Sequence, residues 1–184
     1  MNRSEAYKLV TDWTLNPNLV KHMLAVEAEM KAIAKYLGED EEKYALAGLI
    51  HDADYEKWPD KHPKKTLEEL NKRKAPDWLY GAIETHAWKY NGMDKEPKTK
   101  LEWALYTCDE LSGFIIACAL VRPDKKLSSV TVESVLKKWP QKAFAKGVHR
   151  EQIELCEEKL EIKLGDFISI CLKALQGISY ELGL

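Results

Sequence analysis

The chain has 184 residues, of which 45% are hydrophobic and 32% are charged, and its formal net charge is −2. These values exclude an intrinsically disordered chain and predict one soluble domain, large enough to form a core without disulfides or structural metals. The N-terminus lacks the apolar stretch of a signal peptide and nothing predicts a membrane partner, so we expect a cytoplasmic protein.

The first predicted helix covers residues 18–37. An N-cap asparagine and a proline precede it, and Gly38 follows it, as is typical of helix ends. His22 lies on the apolar face of this helix, beside Leu19 and Val26 at three- and four-residue spacing. The spacing therefore predicts that His22 points into the protein.

A second helix is predicted from Asp40, which can cap it, to about residues 52–54. His51 shares one side of this helix with Gly48, whose missing side chain would let a neighbouring helix approach closely. Residues 53–63 are predicted to form a loop, because two residue-proline pairs in it disfavour helix.

Two shorter helices are predicted next, from Pro63 to about Lys72 and from Pro76 onward. In the second of these, His86 follows Ile83 on one apolar stripe. His86 is thus the third histidine that the periodicity places on a buried helix face.

A long helix is predicted over residues 98–121, between a polar loop and Pro123, and Asp109 shares one of its sides with Ser112. No segment shows the sustained alternation of a strand, so the predicted fold class is all-α. Later helices are predicted over residues 131–139, 149–160 and 166–182, the last of them capped by Asp166.

Basic residues are concentrated between residues 121 and 150, where eight lysines and arginines accompany two acidic residues. An anionic ligand could use this excess, but a solvated helix face is the simpler explanation. No RNA-binding signature is present, so binding to nucleic acid is not predicted. The four cysteines lack CxxC spacing and lie in apolar runs, which predicts reduced thiols in the core: Cys108, Cys118, Cys156 and Cys171.

Candidate metal ligands come from four of the predicted helices. A lone histidine on an apolar face is usually a core residue with a satisfied hydrogen bond, but several that converge unpaired would be costly to bury. A divalent ion gives imidazole nitrogens and carboxylate oxygens a common partner. Adjacent His51 and Asp52 diverge by about 100° on a helix, so that each can bind one ion or Asp52 can bridge two.

These motifs resemble those of the HD superfamily of metal-dependent phosphohydrolases. The basic pattern matches HMLAVEAEM at His22, LAGLIHDADYEK at His51 and Asp52, and TCDELSGF at Asp109. Members with two metals have two further histidines, which HPKKTLEEL and AIETHAWKYNG match at His62 and His86. The resemblance implies a helical bundle with a motif core at about 16–122 and a C-terminal helical extension at about 123–184. It also implies one or two divalent ions (Fe, Mn, Mg, Zn, Ni or Co) bound by His22, His51, Asp52, His62, His86 and Asp109.

The activity implied by this resemblance is hydrolysis of a phosphate ester, on a small metabolite or a nucleotide, by metal-activated water. Asp52 would bridge the ions, and Asp54 or Glu56 would orient water or bind the second nitrogen of a histidine. Candidates for the substrate phosphate are the basic residues Lys57, Lys61 and Arg122. Trp58 and Trp88 are candidates for stacking on a base.

Two alternatives to hydrolysis, and the role of the C-terminal third, remain open. The same architecture occurs in di-iron oxygenases, and the metal could instead be a structural staple in a non-catalytic binding module. The C-terminal third could be a lid, a homodimer surface or scaffold. Hydrolysis of cyclic dinucleotides is not predicted, because Tyr55 and NGMDKEP replace the lysine and the Gly-Tyr-Pro signature of many relatives with that activity.

Overall fold

Ten α-helices and two short 3-10 turns make up the fold in the computed structural model, which describes residues 1–184. No strand is present, so the predicted all-α class is confirmed. In chain order the helices are α1 Arg3–Trp13, α2 Pro17–Leu37, α3 Glu41–Ile50, α4 Lys64–Lys72, α5 Asp77–His86, α6 Lys100–Leu120, α7 Val132–Lys138, α8 Arg150–Lys159, α9 Leu164–Gly177 and α10 Ser179–Leu182. The 3-10 turns are Pro59–Lys61 and Leu127–Ser129.

Most predicted helices lie within two residues of the observed ones, with three differences. Helix α1 was missed, although Asn2 and Glu5 form a capping box at its start. The predicted cap at Asp166 was wrong, because α9 begins at Leu164 and Asp166 lies in its first turn. The chain then bends at Ile178, which divides the last predicted segment into α9 and α10.

Helices α2 and α6 form the centre of the bundle. Both have 21 residues, and each packs against the other and against α9. Asn16 caps the start of α2 and Gly38 ends it at a φ of 70°, while Thr99 and Glu102 form a capping box at the start of α6. These two helices position His22 and Asp109 opposite each other.

One hydrophobic core connects the motif-bearing helices with the C-terminal ones. It contains 41 buried residues, from Ala6 in α1 to Leu182 in α10. All four cysteines are free and buried, which confirms their predicted place in the core. Helix α6 is long and apolar enough to cross a membrane, but 67% of its most apolar stretch is buried inside the protein. Core packing therefore accounts for its hydropathy.

Gly48 allows α3 to approach α2 closely, as predicted. A Cβ atom at position 48 would lie 2.8 Å from the carbonyl oxygen of Val26, and backbone atoms cannot move aside cheaply. We expect Gly48→Ala to lower the free energy of unfolding by about 1–3 kcal/mol, the usual cost of overpacking. Urea denaturation followed by circular dichroism measures this change.

Gly113 provides the matched control, since it also lies inside a helix. A Cβ atom there would meet only a methyl group of Val148 at 3.8 Å, an ordinary contact. Gly113→Ala should leave stability unchanged or raise it by about 0.5–1 kcal/mol through helix propensity. Equal effects of the two substitutions would contradict the close approach of α2 and α3.

Candidate metal centre

The six predicted ligands meet at one end of the bundle. Asp109 lies near the middle of α6, and His22 lies in the second turn of α2. His51 and Asp52 follow the end of α3 directly, and His86 is the last residue of α5. The sixth, His62, comes from the loop, directly after the 3-10 turn. Four helix segments and one loop thus place six side chains around a small volume.

The first ligand group contains His22, His51 and Asp109 together with one oxygen of Asp52. The Nε2 atom of His22 lies 3.0 Å from Oδ1 of Asp109 and 3.2 Å from Nε2 of His51. His51 Nε2 lies 3.4 Å from the same Asp109 oxygen. Asp52 Oδ2 lies 3.8 Å from His22 Nε2 and 3.7 Å from His51 Nε2.

The second ligand group contains His62, His86 and the other oxygen of Asp52. The two Nε2 atoms lie 3.1 Å apart. Asp52 Oδ1 lies 3.4 Å from Nε2 of His62 and 3.7 Å from Nε2 of His86. Each carboxylate oxygen of Asp52 therefore faces a different pair of histidines.

Two of the histidines have a fixed tautomer because the ring nitrogen Nδ1 contacts a backbone carbonyl. His51 Nδ1 lies 2.8 Å from the carbonyl oxygen of Gly48, and His86 Nδ1 lies 2.6 Å from that of Ile83. A carbonyl can only accept, so Nδ1 bears the proton in both rings. The Nε2 lone pairs then point into the site.

In the other two histidines, His62 and His22, a side chain and not a backbone carbonyl binds Nδ1 and fixes the tautomer. His62 Nδ1 donates to Oδ1 of buried Asp54 at 2.7 Å. Ser112 Oγ donates to the carbonyl oxygen of Asp109, which leaves it as the acceptor for His22 Nδ1 at 3.1 Å. Such partners orient the imidazoles of metal sites.

This donor set fits a divalent cation. Two Nε2 atoms with lone pairs face each other at 3.2 Å in the first group, and two more do so at 3.1 Å in the second. Ligands about 2.0–2.2 Å from one ion lie roughly 3–3.5 Å apart, which agrees with most of these separations. Lone pairs at such distances repel one another unless a positive charge, either a proton or a metal ion, lies between them.

The electrostatics of the carboxylates also favour a cation. Burial raises the pKa of Asp52 and Asp109, but the histidines, His51 first, outweigh burial and bring both pKa values below the ordinary range. Burial lowers the pKa of His51, but Asp52 and Asp109 outweigh it and raise that pKa to about 9. The site therefore has two ionised carboxylates that attract positive charge.

An open cavity of about 730 Å³ leads to the ligands. Asp52 and Asp109 are reachable from it, with 14% and 25% of their side chains exposed, whereas His51 is fully buried. The wall includes four aromatic residues, Tyr55, Trp88, Tyr90 and Tyr106. Its other charged or polar residues are Lys89, Glu110, His149, Glu151 and Gln152.

The two acidic candidates of the loop lie outside this cavity. Asp54 is buried behind His62 and also accepts a hydrogen bond from the backbone N–H of Thr66 at 2.9 Å. Its geometry corresponds to the expected role of binding the second nitrogen of a histidine. Glu56 accepts hydrogen bonds from the backbone N–H groups of Leu15 and Asn16, and thereby fixes the turn between α1 and α2.

The three basic candidates for the substrate do not line the cavity either. Lys57 and Lys61 are exposed, with the Lys57 ammonium 4.7 Å from the ring of Trp58, and Arg122 is half-buried elsewhere. Lys89 is the lysine on the cavity wall, with Nζ 3.8 Å from the Trp88 ring.

Helical spacing indicates one cavity residue that the sequence analysis missed. Tyr106 precedes Asp109 by three positions on α6 and so lies on the same face. His149 and Gln152 join the wall from α8 and the residue before it, and nothing local in the sequence indicates their place. Trp58, the other predicted aromatic candidate, packs against Trp13 instead.

The basic segment at residues 121–150 contributes only His149 to the cavity wall. Arg150 is used structurally, since its guanidinium donates to the carbonyl oxygens of Phe144 and Gln141 and lies 4.8 Å from the Phe114 ring. The structure therefore does not bring the local positive charge of this segment to the metal ligands.

Comparison with known proteins agrees with this site. The family model described as HD domain matches residues 19–113, just over half of the chain, and includes all six ligands. The chain therefore belongs to the HD domain family, a superfamily of metal-dependent phosphohydrolases whose members bind divalent metals. No curated protein and no solved structure matches the chain.

Proposed function

We propose that the protein is a metal-dependent phosphohydrolase with two divalent ions, acting on a phosphate ester of a small metabolite or a nucleotide. The main support is the position of Asp52, whose two oxygens face two separate histidine pairs at the floor of an open cavity. A carboxylate in this position can bridge two ions. Divalent ions make a nucleophile available from water near neutral pH and neutralise phosphoryl charge.

The protein's own contribution is to orient the ligands and to shape the cavity. Asp54, Ser112 and two backbone carbonyls hold the four imidazoles in one tautomer, so that the ligand set needs little rearrangement to bind ions. The cavity volume lies in the range usual for small-molecule sites. Trp88 and Tyr106 provide aromatic surface on its wall, which suits a base or another planar group.

A purely structural metal site is a weaker explanation of the same residues. Structural sites are closed and use about four ligands. Here six side chains converge, and both ligand carboxylates are accessible from the cavity. The open access favours a site that exchanges a substrate with solvent.

The proposal is tested with protein purified without a metal-affinity tag. Each of Fe, Mn, Mg, Zn, Ni and Co is added to metal-depleted protein, and phosphate release is measured on a panel of nucleotides and small phosphoesters. Metal-dependent release supports the proposal. Failure of every ion and substrate would contradict it, and iron-dependent consumption of dioxygen would indicate the oxygenase alternative instead.

Lys89 is the only lysine or arginine on the cavity wall, and we therefore assign to it the contact with a substrate phosphate. A charge-assisted hydrogen bond contributes about 1.5 kcal/mol, so Lys89→Ala should raise KM about tenfold with little change in kcat. Lys61→Ala is the matched control, because Lys61 is an exposed lysine that does not line the cavity. Steady-state kinetics of both variants measure the difference, and equal values of KM would contradict the assignment of Lys89.

A further inference from the structure

A second cluster of possible ligands lies in the core, apart from the HD residues. It consists of Glu29 on α2, Cys108 on α6 and Cys171 on α9, and all three are completely buried. One ligand atom from each lies within 4.8 Å of the others. The three helices pack against one another around these side chains.

Glu29 has no partner for either of its carboxylate oxygens. Both are buried, and neither makes a hydrogen bond. A buried carboxylate costs several kcal/mol unless a charge or hydrogen bonds compensate it. Burial raises its pKa well above the ordinary range, but a protonated carboxyl would still have an unsatisfied donor and acceptor. The carboxyl group of Glu29 thus lacks a partner, and a bound cation would supply one.

We propose that Glu29, Cys108 and Cys171 bind a divalent ion of the zinc type in a second, structural centre. Thiolate sulfur and carboxylate oxygen are both ligands of Zn²⁺, and sulfur selects against Mg²⁺, Ca²⁺ and Mn²⁺. Binding replaces the two thiol protons, which leave to solvent, and satisfies the carboxylate in the same step. Cys156 on α8 is also buried, but its sulfur does not belong to the group of ligand atoms that lie within 4.8 Å of one another.

This centre is separate from the phosphohydrolase site in both position and chemistry. Cys171 lies outside residues 19–113 that the HD family model matches. Glu29 lies seven residues after His22, two turns further along α2, and Cys108 directly precedes Asp109. An ion here would fasten α9 to the two helices that hold the first ligand group. The inference does not depend on the proposed function.

Cobalt distinguishes the two centres, because only the cluster in the core contains sulfur. We expect protein expressed with Co²⁺ to show a sulfur-to-cobalt charge-transfer band in the near ultraviolet, at about one sulfur-bound ion per chain. The band should disappear in Cys171→Ala and in Cys108→Ala. It should remain in His51→Ala, which disrupts only the HD site, so that failure of one centre is not mistaken for failure of the other.

Cys118→Ala is the matched control, since Cys118 is a buried thiol of α6 outside the cluster. It should retain the full band. Glu29→Gln preserves shape and removes a buried charge, so it should fold, but it should release cobalt to a competing chelator at least tenfold more readily than wild type. Unchanged cobalt affinity in Glu29→Gln would mean that the Glu29 carboxylate is not a ligand of the ion.

Two further results would overturn the proposal. One is a wild-type protein without the band. The other is a disulfide between Cys108 and Cys171, which would leave two free thiols instead of four in denatured, unreduced protein and would be assigned by peptide mapping. Four thiols together with the band, and its loss in both cysteine variants of the cluster, would establish the site.

Discussion

Replacement of Asp52 by alanine is expected to slow phosphate release severely and to remove both ions from the HD site. Each histidine pair would lose its shared carboxylate at once. Bound ions contribute several kcal/mol to transition-state stabilisation, and about 1.4 kcal/mol is a factor of ten. We therefore expect kcat/KM to fall by roughly 10³-fold or more. Elemental analysis and single-turnover assays measure both effects.

Asp60→Ala is the control for this experiment, because Asp60 is an exposed carboxylate in the 3-10 turn just before His62. It should leave the metal content and the rate unchanged. If Asp52→Ala kept two HD-site ions, Asp52 would not be the shared ligand. If it lost the ions but kept the rate, the metal centre would not be the catalytic site.

Asp54→Asn should weaken metal binding in the second ligand group alone. The substitution removes the charge that fixes His62 and turns an amide N–H₂ toward the N–H donors of His62 or Thr66. Loss of such a partner usually costs 10–100-fold in metal affinity, as a rough guide. Titration calorimetry should show one weakened site, while the group around His22 and His51 keeps its affinity.

Glu56→Gln tests whether this effect is specific. Glu56 lies two residues further along the same loop, but its carboxylate binds backbone N–H groups of Leu15 and Asn16 and does not approach a ligand. The Glu56→Gln variant should have slightly changed stability and unchanged metal affinity. Equal weakening of both ligand groups by Asp54→Asn would mean that the groups are not independent.

The HD site and the cluster in the core share helices α2 and α6. His22 and Glu29 lie on one, and Asp109 and Cys108 lie on the other. A metal ion bound by the cluster in the core, next to the first ligand group, would limit the motion of His22 and Asp109. The Nε2 atom of His22 and Oδ1 of Asp109 lie 3.0 Å apart, and this distance must be kept for both to bind one ion. An ion bound in either centre would therefore support the geometry of the other.

Helical periodicity, together with helix caps and prolines, was enough to predict which helix faces point inward and where most helices end. The spacing of apolar residues placed His22, His51 and His86 on inward faces, and caps and prolines marked most helix ends. These features are local, because a face of a helix is decided by residues three and four positions apart. His62 is different, since it lies in a loop without periodicity, and only its place in a family motif indicated a ligand.

Tertiary structure decided which side chains share a space. Lys57 and Lys61 are near the ligands in sequence but lie outside the cavity, while Lys89, His149 and Gln152 join its wall from other parts of the chain. The same holds for Glu29, an ordinary helix residue in the sequence that has no hydrogen-bond partner in the packed core. The sequence determines local helix faces, whereas neighbours across the bundle depend on how the whole core packs.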